Sequence, residues 1–278
     1  MSHFEEYRNR FPNISIERSD AVLTMRVHSD GGSLKWGALE SSIQAQLGTA
    51  FFDVGHDRDN RIVIFTGTGD RFCTEGDTAE YPALSADSWS RLMHEGRDLL
   101  MNLLNIEVPV IGVINGPAAI HAELPALGDI VLAADDAYIQ DAAHIPAGVM
   151  PGDGVHAIWM EMLGPNRGRH FLLSGRKLGA TELLAAGIVA EVLPRERLLA
   201  RATELAHQLA RLPPVTMRNT RLLVTQQLKR LLLDELGHGL ALQGLSIYSL
   251  IEQPDAANLT TRRLASGKSS ANLRNPPG

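Results

Sequence analysis

The sequence predicts an α/β fold, and three observations carry that prediction. Short, continuous apolar runs at Ile62–Phe65, Val108–Ile114 and Ile130–Ala133 read as strands covered on both faces. Between them, apolar residues recur at helical spacing: Ile43, Leu47, Ala50, Phe51 and Val54 in one stretch, Leu92, Met93, Leu99, Leu100, Leu103 and Leu104 in the next. Glycine and proline clusters punctuate the ends of these runs. Such alternation implies parallel strands joined by right-handed helical crossovers.

Taken in order, 13–18 and 21–27 alternate apolar and polar residues around Ser19-Asp20, a hairpin signal. A loop through 28–34 leads to Trp36, and the first amphipathic helix begins near Leu39. The segment 67–76, GTGDRFCTEG, follows a strand but lacks the third glycine and the helix start of a dinucleotide fingerprint, so that reading is rejected. Residues 77–86 read as a mobile loop. Beyond His156 the chain turns helical, with pieces at 155–163, 166–173 and 180–186, a short strand near 189–192, and helices at 198–209, 215–233 and 235–251. Residues 1–194 are therefore expected to form the α/β core and 195–252 a helical region, with 253–278 a flexible tail too poor in apolar residues to pack alone.

Composition narrows the function. The formal net charge of -6 and the scattered basic residues argue against nucleic acid as a partner, because phosphate binding relies on clustered Lys and Arg. The single cysteine, Cys73, excludes an internal disulfide and fits a reducing compartment. The charged N-terminal segment lacks the apolar stretch of a signal peptide, and no apolar run reaches the roughly 18 residues of a spanning helix. The expectation is a cytoplasmic protein that does not enter a membrane.

Ionisable residues concentrate in one place. Residues 115–156, NGPAAIHAELPALGDIVLAADDAYIQDAAHIPAGVMPGDGVH, set His121, Glu123, His144 and Asp153 beside turns at strand ends, where α/β proteins place their chemistry. Histidine is the side chain best suited to act as a general base near neutral pH, and a carboxylate on its second nitrogen fixes the tautomer. His144 and Asp153, nine positions apart, can form such a pair. Asp153 also stands where an aspartate caps the helix starting at Val155, and the two roles can coexist. Glu123 equally reads as a carboxylate favoured by a helix start. A metal site from His121, His144, Asp153 and His156 lacks any recognised ligand spacing. Tyr81 is a candidate pocket residue.

Four stretches resemble the crotonase (enoyl-CoA hydratase/isomerase) superfamily: RIVIFTGTGDRFCTEGD at 61–77, VPVIGVINGPAA at 108–119, DIVLAADDAYIQDAAHIPAGVMPGDG at 129–154, and RGRHFLLSGRKLGATELLAAGIVAEVLP at 167–194. The resemblance implies repeated ββα units, a C-terminal helical region that packs on a neighbour, and homotrimers or dimers of trimers. In CoA-using members a GGG turn follows NG and helps hold the thioester oxygen; here Ile120-His121-Ala122 stands there, one residue shorter. Glu123 matches one hydratase glutamate, whereas His144 replaces the second. IHAE, AHIPAG and PGDG are instead similar to the motifs of the 6-oxocamphor hydrolase branch, whose members cleave cyclic β-diketones without CoA. That branch implies a small cyclic diketone as substrate and neither metal nor cofactor. It makes His144 and Asp153 the pair that activates water, with His121 and Trp36 as oxygen-binding donors. The superfamily pattern also implies an oxyanion N–H near Thr74, and Gln243 stands where the branch has glutamate. The competing expectations are a CoA-thioester hydratase or isomerase using Glu123 and Asp153, and a non-catalytic member of the fold.

Overall fold

The computed structural model describes residues 3–251. Strands β1 (Ile14–Ser19) and β2 (Val22–Val27) form the expected hairpin, antiparallel and turned at Asp20, whose φ is +54°. β3 (Leu34–Trp36) and helix α1 (Ile43–His56) follow, then β4 (Ile62–Gly67), β5 (Cys73–Gly76) and the long α2 (Ala86–Asn105). The next turn holds β6 (Val110–Ile114) and the four-residue α3 (Glu123–Ala126), and the one after it β7 (Ile130–Ala134) and β8 (Tyr138–Ile139). Helices α4 (Val155–Leu163) and α5 (Pro165–Ser174) lead to β9 (Leu178–Gly179), α6 (Ala180–Ala185) and β10 (Glu191–Leu193). The chain closes with α7 (Arg195–Ala210), α8 (Pro214–Val224) and α9 (Gln226–Ile251).

The main sheet has the order β1-β2-β4-β6-β7-β10, and every pairing after the hairpin is parallel. Its two central strands are buried throughout; all residues of β4 and β6 are covered, which is why their sequence does not alternate. A second ledge of short strands runs alongside. β3 pairs with β5 in parallel, Cys73 bridges to Ala118, Ala118 bridges to Ile139, and β8 pairs with β9. Successive turns of the chain thus add one strand to the sheet, one to the ledge and then a helix. This is the repeated ββα architecture that the resemblance implies, and the ledge is what brings loops from distant turns side by side.

Close backbone approach holds α3 against the sheet. A Cβ on Gly112 of β6 would stand 1.8 Å from the carbonyl oxygen of Pro125, so only glycine lets α3 lie this near. The expected boundary near residue 195 falls just past β10. Even so, α7 folds back over β2, β4, β6 and β7, and its Leu198, Ala202 and Ala206 join the same core as the strands. The expected helix break near Asp234 lies instead at Thr225, whose hydroxyl donates to the carbonyl of Arg221 at 2.8 Å. Arg221 is the reason. Its buried guanidinium bonds Asp129 at 2.7 Å and the carbonyls of Leu104 and Ile106, anchoring α8 to the end of α2. Past that anchor nothing interrupts α9, and Leu232, Leu236 and Leu240 enter the core from it. No helix of the described residues is long and apolar enough to cross a membrane. The tail expected at 253–278 lies outside the described residues.

Candidate active site

A cavity of roughly 330 Å³ opens between the ledge, α2 and α9. Trp36, Tyr81, His121, Glu123, His144, Asp153 and Gln243 all line it. Seven side chains expected at the site from their sequence positions are therefore brought together. Thr74 is not. It lies in β5, at the register shift of the β3–β5 pairing between the partners of Cys73 and Glu75, and does not reach the cavity wall. Leu92, Leu99 and Leu100 of α2 and Leu240 and Ile247 of α9 supply an apolar lining, and no Lys or Arg is part of it among the described residues.

His121 occupies the turn before α3 with φ at +50°, a left-handed conformation rare for a side-chain-bearing residue. The strain, of order 1–3 kcal/mol, is stored at the cavity wall. Its Nδ1 lies 2.7 Å from Oε1 of buried Glu123, and its ring stacks on Trp36 with centroids 3.7 Å apart. Burial alone would depress the His121 pKa, but the Glu123 carboxylate more than offsets it and the pKa is raised. The Glu123 carboxylate thus favours the charged form of a ring pressed against an indole.

His144 is buried and contacted at both nitrogens. Nδ1 lies 2.6 Å from Oδ1 of Asp141; Nε2 lies 3.3 Å from Oδ2 of Asp153 and 3.1 Å from the amide nitrogen of Gln243. Burial disfavours the charged ring, yet Asp153 and Asp141 together raise its pKa well above the ordinary value. For Asp153 burial again opposes ionisation, and the attraction of His144 outweighs it, so its pKa is lowered. Gly154, not Asp153, is the N-cap residue of α4, and no side chain closes that end. The geometry also departs from the expected pairing. Asp153 meets Nε2, and the second nitrogen belongs to Asp141, a residue the sequence did not single out. Its one signal in the sequence is the spacing DAAH.

Gly152 sets the last part of this geometry. A Cβ there would stand 2.1 Å from the carbonyl oxygen of Gly239 and 2.7 Å from Gln243, so the PGDG turn rests directly on α9. Two other sulfur and nitrogen groups stay outside the chemistry. Burial pushes the Cys73 thiol up to about 12, leaving no thiolate at neutral pH. Burial instead lowers the His156 pKa, and its ring approaches Glu235 at 3.9 Å. Among the described residues no three His, Cys, Asp or Glu side chains are disposed to hold a metal ion.

Fold and site together define an enzyme of the crotonase type, in which turns of a ββα spiral deliver polar groups to an apolar cavity. Residues 21–245 match the enoyl-CoA hydratase/isomerase family, and the chain belongs to that family. A solved β-diketone hydrolase from the cyanobacterium Anabaena sp. PCC 7120, bound to (S)-3-oxocyclohexyl acetic acid, is 40% identical. It superposes with a TM-score of 0.84 over 88% of this chain and 98% of its own. An enoyl-CoA hydratase/isomerase from Mycobacterium paratuberculosis gives a TM-score of 0.79 at 21% identity over 93% and 100% of the two chains, a likeness of fold alone. Carnitinyl-CoA dehydratases of Shigella flexneri and Escherichia coli (strain K12) are 29% identical over 188 residues, 66% of this chain and 70% of theirs.

Proposed function

We propose that this enzyme is a cofactor-independent hydrolase that cleaves the carbon–carbon bond between the two carbonyls of a cyclic β-diketone, giving a keto acid. One observation carries the reading: two histidines, each held by a buried carboxylate, share the polar side of a cavity whose remaining wall is apolar and uncharged. A small uncharged carbocycle suits that wall. A CoA nucleotide carries phosphates, and no Lys or Arg lines the wall among the described residues. The likeness to a β-diketone hydrolase carrying an oxo acid supports the same substrate class.

The chemistry follows from the positions. A water proton passes to Nε2 of His144, beside Asp153, as the water oxygen bonds to one ketone carbon. The carbonyl oxygen takes the negative charge, stabilised by the His121 imidazolium and by the Trp36 indole N–H. Re-forming that carbonyl as a carboxylic acid breaks the bond to the neighbouring carbon, and the electrons move onto the second carbonyl as an enolate. The proton on Nε2 then returns to the enolate carbon. Atoms balance with water as the only co-reactant. Because the raised His144 pKa keeps the ring charged near neutrality, the acidic limb of the rate profile is expected above the ordinary imidazole value. Exposed Leu223, Leu233 and Leu245 on α8 and α9 support the homotrimer or dimer of trimers that the resemblance implies.

The test is a panel of bicyclic and monocyclic 1,3-diketones, followed by ultraviolet loss of the enol and mass detection of the keto acid. Turnover of the diketones and weak acyl-CoA binding are expected. Turnover of an acyl-CoA without any diketone cleavage would overturn the proposal and return the chain to the chemistry named for the carnitinyl-CoA dehydratases.

A further inference from the structure

We infer that Asp141 is the positioning residue for His144, and that Asp153 therefore works on the reacting edge of the ring instead of behind it. The inference rests on the β-diketone reading for its catalytic consequence, though not for its geometry.

A neutral imidazole carries one N–H, and its place is set by the stronger acceptor. A carboxylate oxygen 2.6 Å from Nδ1, with both side chains almost wholly buried, commits that proton to Nδ1. Nε2 is then the one nitrogen able to exchange a proton during the reaction, and it faces Asp153 and Gln243, both of which line the cavity. Asp141 does not line it. Gln243 suits both protonation states of the ring. Its amide N–H donates to a bare Nε2, and its buried Oε1, without a partner among the described residues, accepts from a protonated Nε2 after a half-turn of the amide.

The second observation concerns what else Asp141 does. His144 is its only side-chain partner among the described residues, and its other oxygen, Oδ2, is buried with no donor. A half-satisfied buried carboxylate is a poor device for stability. Holding one ring in one tautomer accounts for it. The charged and titratable groups that surround His144 are Asp141, Asp153, His121 and His156, and of these Asp141 alone contacts Nδ1.

The experiment is a ¹⁵N NMR titration of the His144 ring in the full-length protein, run on wild type, Asp141→Asn and Asp153→Asn, alongside kcat and KM against pH. Wild type is expected to carry the Nδ1–H tautomer when neutral. Asp141→Asn is expected to shift the population to Nε2–H, move the acidic limb downward, and lower kcat by about 10²–10⁴-fold while KM stays within a few-fold. Asp153→Asn is expected to lose kcat with the Nδ1–H tautomer intact. If Asp141→Asn does not fold, Asp141→Glu keeps the charge, and retention of the Nδ1–H tautomer is expected of it. A wild-type tautomer and pH profile in Asp141→Asn, or a tautomer change in Asp153→Asn, overturns the assignment. The NMR result needs no substrate. Failure of diketone cleavage with the expected tautomers therefore sinks the proposed reaction and leaves the positioning role standing.

Discussion

Replacing Glu123 with glutamine removes one charge while keeping shape and hydrogen-bonding capacity, and it isolates the charge on His121. The carboxylate oxygen lies 2.7 Å from Nδ1, and the two side chains are 4% and 13% exposed, so solvent screens them little. With charge centres about 4 Å apart and an effective dielectric constant of about 20, the attraction is about 4 kcal/mol. Its loss lowers the His121 pKa, because the carboxylate is the main group holding the charged ring. Burial, the largest influence on that ring, is then opposed by Asp153 but no longer by Glu123, and the balance moves toward the neutral ring. A neutral ring still donates one hydrogen bond to the oxyanion, so the expected loss is that of charge stabilisation, about 10²-fold in kcat.

The pH dependence makes this diagnostic. The assay is kcat for diketone cleavage in wild type and Glu123→Gln from about pH 6 to about pH 9, the range of histidine titration. Taking the ratio at each pH cancels the limb due to His144, which both proteins share. The ratio should be small at the acidic end, where both His121 rings are charged, and grow as pH rises. Stability carries the same signature. A raised folded pKa means that the contribution of the His121–Glu123 pair is whole below the ordinary imidazole value near 6.5. It is then lost as pH rises through the folded pKa, so the variant's stability is flatter over that window. A ratio within twofold that does not change with pH would refute the charged role of His121.

Trp36→Phe keeps the ring stacked on His121 and deletes the indole N–H; kcat should fall by about 10²-fold with little change in fold, and an unchanged kcat would remove the indole from the oxyanion site. Gly152→Ala places a Cβ 2.1 Å from the Gly239 carbonyl oxygen, forcing the PGDG turn off α9. A destabilisation of about 1–3 kcal/mol, read as a lowered Tm, should accompany displaced Asp153 and Gln243 and lost activity, whereas an unshifted Tm would contradict the contact.

Much of this was legible in the chain. Ile62–Phe65, Val110–Ile114 and Ile130–Ala133 were readable as inner strands because burial on both faces leaves a local, unbroken apolar signature. His121 and His144 were readable because they stand in turn segments at strand ends. The short ledge strands β3, β5, β8 and β9 were not, since two to four residues carry no period. The helix break at Thr225 was equally invisible, because it depends on Arg221 finding the carbonyls at the end of α2, 115 and 117 positions earlier.

Periodicity and turn chemistry, read along the chain, determined the α/β class, the order of its layers and the neighbourhood of the chemistry, because each is written within a few adjacent residues. Which acid meets which nitrogen of His144 was decided only in three dimensions. Asp141, Asp153 and Gln243 arrive from three separate segments, and their approach depends on the contact of Gly152 with Gly239 across α9. Hydrogen-bond partnership falls off within tenths of an ångström, a resolution that spacing along a chain does not carry.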